Sequence, residues 1–396
     1  MKHYKYLIIG GGMTADAAAR AIREADPQGS LGVISAEPHR PYNRPPLSKG
    51  LWTGASLDSI WRVPEPAPLD LHLGRRATSL DPDARRVRDD RDDEYAFDKL
   101  LLATGGTPRR LPSDAAGIIY FRTLDDYKRL RVLCEQGERF AVIGGGFIGS
   151  EVAAALAMNG KRVTMIFPGV GVGSRVFPAD LSRHVTDFYR SKGVETLAGE
   201  RVAAVESLGE TFRVRTGSGG MVTVDGVVAG LGIEPNVELA ARAGLAVGDG
   251  IFVDEHMRSS DPHIHAAGDV ASIFSPALGT RIRVEHEDAA NTMGRAAGLV
   301  MADVPEPYRH LPFFYSDLFD LGYEAVGELD VRLETVADWK EPMREGVVYS
   351  LDRGRVRGVL LWNVWGQVDA ARELIAEPGP FRAADLKGLL PRANAR

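Results

Sequence analysis

Two glycine-rich turns of the same kind occur in this chain of 396 residues, and they constrain its fold more than any other feature. The first is Gly-Gly-Gly-Met-Thr-Ala at residues 10–15, and the second is Gly-Gly-Gly-Phe-Ile-Gly at residues 144–149. Each follows a short apolar run and opens an alanine-rich helical stretch. Strand, turn and helix in succession place backbone N–H groups and a helix N-terminus against a pyrophosphate. The two turns therefore predict two dinucleotides on one polypeptide, and electron transfer between a nicotinamide and a flavin is the simplest chemistry that needs both.

The composition is that of an ordinary globular protein long enough for two or three domains. A net charge of −6 argues against a general nucleic-acid binder, because such proteins usually carry a basic excess. We find no apolar stretch near the ~18–20 residues of a membrane span. The N-terminus runs straight into the first apolar run and leaves no room for a signal peptide. These features predict a cytoplasmic protein with neither a nucleic-acid partner nor a membrane span.

Cys134 is the only cysteine, so the chain cannot form an intrachain disulfide. This excludes the two-dinucleotide enzymes that pass electrons from flavin through a pair of active-site cysteines. One cysteine cannot hold an iron–sulfur cluster, and the nine histidines are scattered without metal-like spacing. We therefore predict no metal site, and Cys134 is interpreted as a small apolar residue of a helix over residues 124–136.

A carboxylate and a basic loop follow the first turn. Glu37 comes directly after a predicted strand at residues 31–35, at about the 20-residue distance where dinucleotide folds place an acid on a ribose hydroxyl. A solvent-exposed glutamate at a strand end is the alternative interpretation. Residues 40–49 then contain three prolines, two arginines and Lys49, so this stiff loop suits an anionic cofactor.

The remaining patterns mark domain boundaries, a strand that ends in polar residues and a helix that begins with acidic ones. Residues 100–108 read as a buried strand that ends the first domain, and the mixed charges of residues 85–94 predict a solvated hairpin or loop. Residues 264–270 predict a strand that ends in Gly-Asp, and acids then open a helix over residues 289–301, where Asp288 is a capping acid. From about residue 304 the pattern is that of a small α+β domain.

Several ordered motifs give the chain a family resemblance. They are Arg-Pro-Pro-Leu-Ser-Lys at 44–49, Ala-Thr-Gly-Gly-Thr-Pro at 103–108, the second turn through Ser-Glu at 150–151, and Ala-Ala-Gly-Asp-Val at 266–270. The chain resembles the FAD/NAD(P)H oxidoreductases that include rubredoxin, putidaredoxin and biphenyl-dioxygenase ferredoxin reductases. Residues 232–240, 284–286 and 315–327 resemble the apoptosis-inducing-factor branch specifically. The resemblance covers essentially the whole chain.

This resemblance implies an α/β fold with two Rossmann-like three-layer dinucleotide-binding domains and a C-terminal α+β domain. The FAD-binding domain is expected at residues 1–111 and 235–303, and the NAD(P)-binding domain at 112–234. The C-terminal domain is expected at 304–396. No nuclear or DNA-binding role is transferred from the eukaryotic apoptosis-inducing factor.

The resemblance also implies the residues that contact each dinucleotide. On the FAD side they are Gly10, Gly12, Met13, Thr14, Ala15, Glu37, Arg44, Lys49, Ala77, Arg122, Gly268, Asp269, Glu285 and His286. On the nicotinamide side they are Gly145, Gly146, Phe147, Ile148, Glu151, Arg175, Gly232, Tyr315 and Glu324. Lys49 and Glu151 are the expected catalytic pair beside the reactive nitrogen of the flavin. There the lysine stabilises charge on the reduced ring, and the glutamate orients the nicotinamide amide.

The chain departs from the apoptosis-inducing-factor branch at two positions. That branch has a glutamate where this chain has Gly169, which removes the acid expected to select an unphosphorylated ribose. No arginine directly replaces this glutamate, although Arg175 is near enough to meet a 2′-phosphate. Both NADH and NADPH therefore stay open as the electron donor, with NADH slightly favoured. Glu287 replaces a histidine or tryptophan of relatives, which bears on access to the flavin face.

The expected function is hydride transfer from NAD(P)H to FAD, followed by electron transfer to an external acceptor. A small iron–sulfur protein, a quinone and oxygen all stay open as that acceptor. The alternative is a redox sensor like apoptosis-inducing factor, in which a long-lived charge-transfer complex with NADH controls assembly. A homodimer is compatible with both functions.

Overall fold

The computed structural model describes residues 1–62, 69–112 and 115–391, which form two compact units. Within those ranges the first unit comprises Met1–Arg44, Leu57–Thr107 and Glu234–Pro312. The second unit comprises Pro45–Ser56, Pro108–Ile233 and Phe313–Arg396. Residues 45–56 fall by position in the expected FAD-binding domain, yet they pack with the second unit.

A seven-stranded sheet forms the centre of the first unit. Its strands, in spatial order, are Asp70–Leu73, Leu31–Ser35, Lys2–Ile9, Glu94–Leu102, Arg86–Asp89 and Ala77–Asp81, and Ile264–Ala266 pairs with Glu94–Leu102. The apolar strands pair in parallel, with Ile9 opposite both Ile34 and Leu102. The two strands after residue 76 are antiparallel, and the charged run of residues 85–94 forms the predicted hairpin. Buried parallel strands explain the continuous apolar runs in the sequence.

Helix Met13–Ala25 packs closely on helix Glu287–Met301 in the same unit. A Cβ atom on Gly294 would lie 2.4 Å from the Thr14 carbonyl oxygen, and one on Gly298 would lie 2.4 Å from that of Ala18. The two helices therefore approach each other closely because the first has small alanines at the contact and the second has glycines, which carry no Cβ atom. The rest of the first unit consists of the sheet Val247–Gly248, Gly250–Val253, Ala271–Ser275 and Thr280–Ile282, the helix Glu238–Arg242, and 3₁₀ turns at Leu57–Ile60 and Gly268–Val270.

A second parallel sheet begins the second unit. Its strand order is Glu195–Ala198, Arg162–Phe167, Arg139–Ile143, Gly226–Ala229 and Ile119–Tyr120. Helices Leu124–Gln136, Phe147–Met158 and Ala179–Ser191 accompany it, and a three-stranded antiparallel sheet is formed by Val202–Ser207, Phe212–Thr216 and Met221–Val224. Thr123 and Asp126 form a capping box, which explains the start of the first of these helices.

The C-terminal segment adds a five-stranded antiparallel sheet to the same unit. Its strands, in spatial order, are Phe313–Leu318, Leu321–Gly327, Arg355–Trp362, Glu345–Asp352 and Glu334–Glu341, and helices Val368–Ala376 and Ala383–Leu386 follow. Trp362 is fully buried and stacks on Tyr323, with ring centroids 5.9 Å apart. Phe177 packs edge-on against both rings. This aromatic contact joins the C-terminal sheet to the preceding part of the unit.

Residues 45–56 are anchored in the second unit by Trp52. Its Nε1 donates to the Leu47 carbonyl at 2.7 Å, and its ring packs edge-on against Tyr127 at 5.6 Å. The side-chain amide of Asn159 donates to the Trp52 carbonyl at 3.1 Å. Two 3₁₀ turns, Pro45–Leu47 and Gly50–Trp52, present the residues between them to that unit.

The short strands Gly106–Pro108 and Ile233–Pro235 lie where the chain passes from one unit to the other. The mixed α/β architecture with two parallel sheets agrees with the predicted fold class. Among the helices of the described ranges, none has the length and apolarity needed to cross a membrane.

Candidate functional site

The two glycine turns have nearly the same backbone geometry. Gly10 and Gly144 have φ of +118° and +116°, which is unfavourable for residues with a Cβ. Gly12 and Gly146 have φ/ψ of −88°/−167° and −87°/−166°. The repeated motif in the sequence is therefore a repeated structure in the two units.

The glycines of each turn are required for different reasons. A Cβ on Gly10 would lie 2.0 Å from the Ala103 carbonyl oxygen, and one on Gly144 would lie 2.3 Å from that of Gly230. In contrast, among the described residues other than the two chain neighbours, no atom lies within 4 Å of a Cβ built on Gly12 or Gly146. The first glycine thus serves close packing, whereas the third faces open space at the start of the helix.

Both turns fit a dinucleotide pyrophosphate. Gly12 and Gly146 are the N-cap residues of helices Met13–Ala25 and Phe147–Met158, and no side chain in the described ranges caps either helix. The N–H groups of the first helical turn therefore face the open space beside the third glycine. A phosphate there would be bound by these N–H groups and by the helix dipole.

Glu37 is held in place by two residues of the basic loop. It pairs with the guanidinium of Arg44 and accepts a hydrogen bond from the Tyr42 hydroxyl at 2.7 Å. Burial raises the pKa of Glu37, but Arg44 and Tyr42 outweigh burial and leave the pKa below its ordinary value. The Arg44 backbone N–H also contacts the Met13 sulfur at 3.4 Å. An ionised carboxylate beside the first turn is suited to accept a ribose hydroxyl.

The Gly-Asp turn lies against the same helix N-terminus. Gly268 has φ +74°, and a Cβ on it would lie 2.2 Å from Thr14 Oγ1. Arg283 donates to the Asp269 carbonyl at 3.2 Å and to the Glu285 carboxylate at 2.8 Å. Burial lowers the pKa of His286 to about 4, and Asp269 opposes that shift in part. The first unit thus brings predicted flavin residues from three segments, although not Ala77, to one end of helix Met13–Ala25.

A buried ion pair lies in the second unit. The ammonium of Lys49 donates to Glu151 Oε1, and the two side chains are 13% and 6% exposed. Ser48 Oγ donates to Oε2 at 2.6 Å and Ser316 Oγ donates to Oε1 at 2.6 Å. The same ammonium lies 5.2 Å from the ring centroid of Tyr315. Lys49 is therefore a fixed, nearly buried positive charge whose partner, Glu151, accepts three hydrogen bonds.

Other residues predicted on the nicotinamide side lie on helix Phe147–Met158 and on the C-terminal sheet. The rings of Phe147 and Phe314 pack edge-on at 5.1 Å. Tyr315 is directly opposite Glu324 in the sheet, so both side chains lie on one face. Burial raises the pKa of Glu324, and a hydrogen bond from the Gly366 N–H opposes the rise. Ile148 is 37% exposed at the helix start.

Four further predicted residues lie on other segments of the chain. Arg175 is exposed on the loop after strand Arg162–Phe167, and that loop is tied to the second turn by Gly173 N–H to the Gly145 carbonyl at 2.8 Å. Gly232 has φ +82° and its carbonyl accepts the Arg109 N–H at 2.9 Å. Ala77 lies on an edge strand of the first unit, and Arg122 precedes helix Leu124–Gln136 in the second.

Sequence reasoning missed the residues that hold the charged groups. Ser48 stands beside Lys49 in a recognised motif and Ser316 beside Tyr315, but a buried serine has no pattern of its own. Arg62 was missed as well, although it donates to Asp16 at 2.6 Å, to Asn43 at 2.9 Å and to Asn291 at 2.8 Å.

Comparison with known proteins gives matches over nearly the whole chain. A family model described as pyridine nucleotide-disulphide oxidoreductase matches residues 4–294, which include both turns. The ferredoxin–NAD(+) reductase component of the anthranilate 1,2-dioxygenase system of Burkholderia cepacia is 34% identical, with 96% of this chain and 97% of that protein covered. Apoptosis-inducing factor 1 of Dictyostelium discoideum, a mitochondrial protein, is 33% identical, with coverages of 95% and 79%. The crystal structure of the covalent putidaredoxin reductase–putidaredoxin complex matches with a TM-score of 0.86 at 28% identity, with coverages of 95% and 94%.

Proposed function

Because the chain belongs to the pyridine nucleotide-disulphide oxidoreductase family, we propose that it passes electrons from NAD(P)H through FAD to a small iron–sulfur protein. The family is FAD- and NAD(P)H-dependent. The predicted resemblance, the two-dinucleotide α/β fold and the class of FAD-dependent oxidoreductase are confirmed. The three-domain boundaries, the site residues and the cytoplasmic localisation stay predictions.

The acceptor must be external, although the family is named for disulfide chemistry. Cys134 is the only cysteine of the chain. It is buried, and burial raises the pKa of its thiol to about 11, so the reactive thiolate is disfavoured. Electrons therefore leave without a cysteine relay.

The observation that carries the proposal is the buried pair of Lys49 and Glu151. When bound, FAD supplies the hydride-accepting ring and releases electrons singly to an acceptor. A fixed ammonium stabilises negative charge that develops during hydride transfer, and it requires no reorganisation at that moment. Glu151 keeps the ammonium in place and offers a carboxylate oxygen to orient an amide. We propose these roles for the two residues.

An iron–sulfur acceptor is supported by the relatives. A reductase from Burkholderia cepacia is named for ferredoxin, and the matched crystal structure holds a reductase joined to putidaredoxin. The test is NADH-dependent reduction of cytochrome c, measured with and without an added [2Fe–2S] ferredoxin. We expect the rate to rise when the ferredoxin is added. A rate that does not depend on ferredoxin would reject this acceptor.

A redox sensor is the second candidate, favoured by the similarity to apoptosis-inducing factor over 95% of this chain. A sensor would be reoxidised slowly in the presence of ferredoxin and would dimerise when NADH is added. Sedimentation with and without NADH, measured anaerobically, separates this function from the reductase.

NADH is the proposed donor. Residues 168–174, which follow strand Arg162–Phe167, contain no basic side chain to neutralise a 2′-phosphate. Arg175 comes next and is exposed, so residues 168–178 offer one basic side chain to a 2′-phosphate. The ratio of kcat/KM for NADH and NADPH tests this preference, and a higher value for NADPH would reject it.

A further inference from the structure

Three donors from two other segments hold the carboxylate of Glu151 on helix Phe147–Met158. Ser48 donates to Oε2, whereas Ser316 and Lys49 both donate to Oε1. Ser48 is 5% exposed and Ser316 is fully buried. Since an ionised carboxylate only accepts hydrogen bonds, both hydroxyls act as donors.

Buried carboxylates need this kind of support. Removing a carboxylate from water is costly unless its oxygens receive hydrogen bonds, and bonds to a charged acceptor are stronger than neutral ones. An ammonium on one oxygen leaves the carboxylate plane free to rotate about the Cγ–Cδ bond. Ser48 holds the other oxygen and removes that freedom, while Ser316 fixes the oxygen to which Lys49 binds.

We infer that Ser48 and Ser316 are positioning residues that fix Glu151, and through it the Lys49 ammonium, for hydride transfer. This inference rests on the proposed function of the Lys49–Glu151 pair. The two hydroxyls act on the reacting groups only through Glu151. Ser48 has the larger effect, because among the described residues it is the donor to Oε2, whereas Oε1 keeps Lys49 when Ser316 is removed.

The test is anaerobic stopped-flow reduction of the FAD-loaded enzyme by NADH, with the limiting rate and the NADH Kd determined separately. We expect Ser48→Ala to lower the limiting rate about tenfold, the size of one hydrogen bond to a charged group, with little change in Kd. Ser316→Ala should lower it less. The matched control is Ser350→Ala, which removes another buried serine from the same C-terminal sheet and should leave the rate unchanged.

A double-mutant cycle separates positioning from a general structural role. In a Glu151→Gln background, Ser48→Ala should cause no further loss of rate, because the hydroxyl acts through the carboxylate. Ser48→Thr, which keeps the hydroxyl, should restore most of the rate. Additive losses in the cycle, or unchanged rates in both alanine variants, would overturn the inference.

These outcomes are distinguishable from failure of the proposed function. If NADH and NADPH both leave the wild-type flavin oxidised, the proposed function itself is wrong. If the wild-type flavin is reduced and the serine variants match it, only the positioning role is wrong.

Discussion

Lys49 and Glu151 are paired across 102 residues of sequence, with side chains only 13% and 6% exposed. Removal of Glu151 leaves the nearly buried Lys49 ammonium with the carboxylate of Asp317, which is 4.0 Å away and 54% exposed and therefore compensates it weakly. We expect Glu151→Ala to lower the free energy of unfolding by roughly 3 kcal/mol, measured by urea denaturation of the FAD-loaded protein.

The exposed pair Lys340–Glu345 is the control for this experiment. Its atoms lie 2.7 Å apart, but the lysine side chain is 74% exposed. Since exposed pairs contribute little, Glu345→Ala should change the free energy of unfolding by less than about 1 kcal/mol. Equal losses in the two variants would contradict the burial argument.

The third glycine of each turn allows cofactor binding to be separated from folding. Gly12→Ala and Gly146→Ala place a methyl group where, apart from the chain neighbours, no described atom lies within 4 Å, and both backbones have negative φ. We therefore expect both variants to fold. Gly12→Ala should be purified with less FAD, whereas Gly146→Ala should retain FAD but raise the KM for NADH at least tenfold, roughly the loss of one hydrogen bond to a charged group. Each variant is the control for the other, and loss of FAD from Gly146→Ala would contradict the assignment of the turns.

Arg62 joins the loop at Asn43 to helices Met13–Ala25 and Glu287–Met301 through Asp16 and Asn291. Its side chain is 14% exposed, and three hydrogen bonds are lost in Arg62→Ala. We expect a loss of about 2–4 kcal/mol in the free energy of unfolding and a lower FAD content. Arg88→Ala, which removes a side chain that is 51% exposed, should change both quantities little. Normal FAD retention by Arg62→Ala would show that the loop does not depend on this arginine.

Much of this fold could be predicted because the signals are local. Each turn, its preceding strand and its helix lie within one short segment, and the predicted helix over residues 124–136 has those bounds in the structure. The charged hairpin was also predictable from neighbouring residues alone. Local pattern and tertiary packing agree at these positions.

The hydrogen bonds that hold the Lys49–Glu151 pair could not be predicted, since they come from distant segments. Ser48 and Ser316 lie 103 and 165 residues from Glu151 along the chain. The packing of residues 45–56 with the second unit depends on contacts of Trp52 with Tyr127 and Asn159. Sequence periodicity carries no information about such contacts.

Buried histidine makes stability depend on pH. His265 is 2% exposed, and burial lowers its pKa to about 4. In the unfolded chain its pKa is about 6.5, so between these values the unfolded state binds more protons. Stability is therefore full above about pH 6.5 and falls as the pH falls toward 4, by up to roughly 3 kcal/mol from this residue.

Urea denaturation at several pH values checks this expectation. His265→Gln should flatten the dependence between pH 6.5 and 4, the window set by the two pKa values. His184→Gln changes an exposed histidine on helix Ala179–Ser191 and should leave the slope as in wild type. An unchanged slope in His265→Gln would mean that other groups govern the acid sensitivity.

Anaerobic double-mixing stopped flow tests the central claim most directly. The FAD-loaded enzyme is first mixed with NADH, and the reduced enzyme is then mixed with an oxidised [2Fe–2S] ferredoxin. We predict loss of the oxidised-flavin absorbance in the first step, followed in the second by its return together with reduction of the iron–sulfur centre. A flavin that is reduced by NADH but stays reduced in the presence of ferredoxin would contradict the proposed electron transfer.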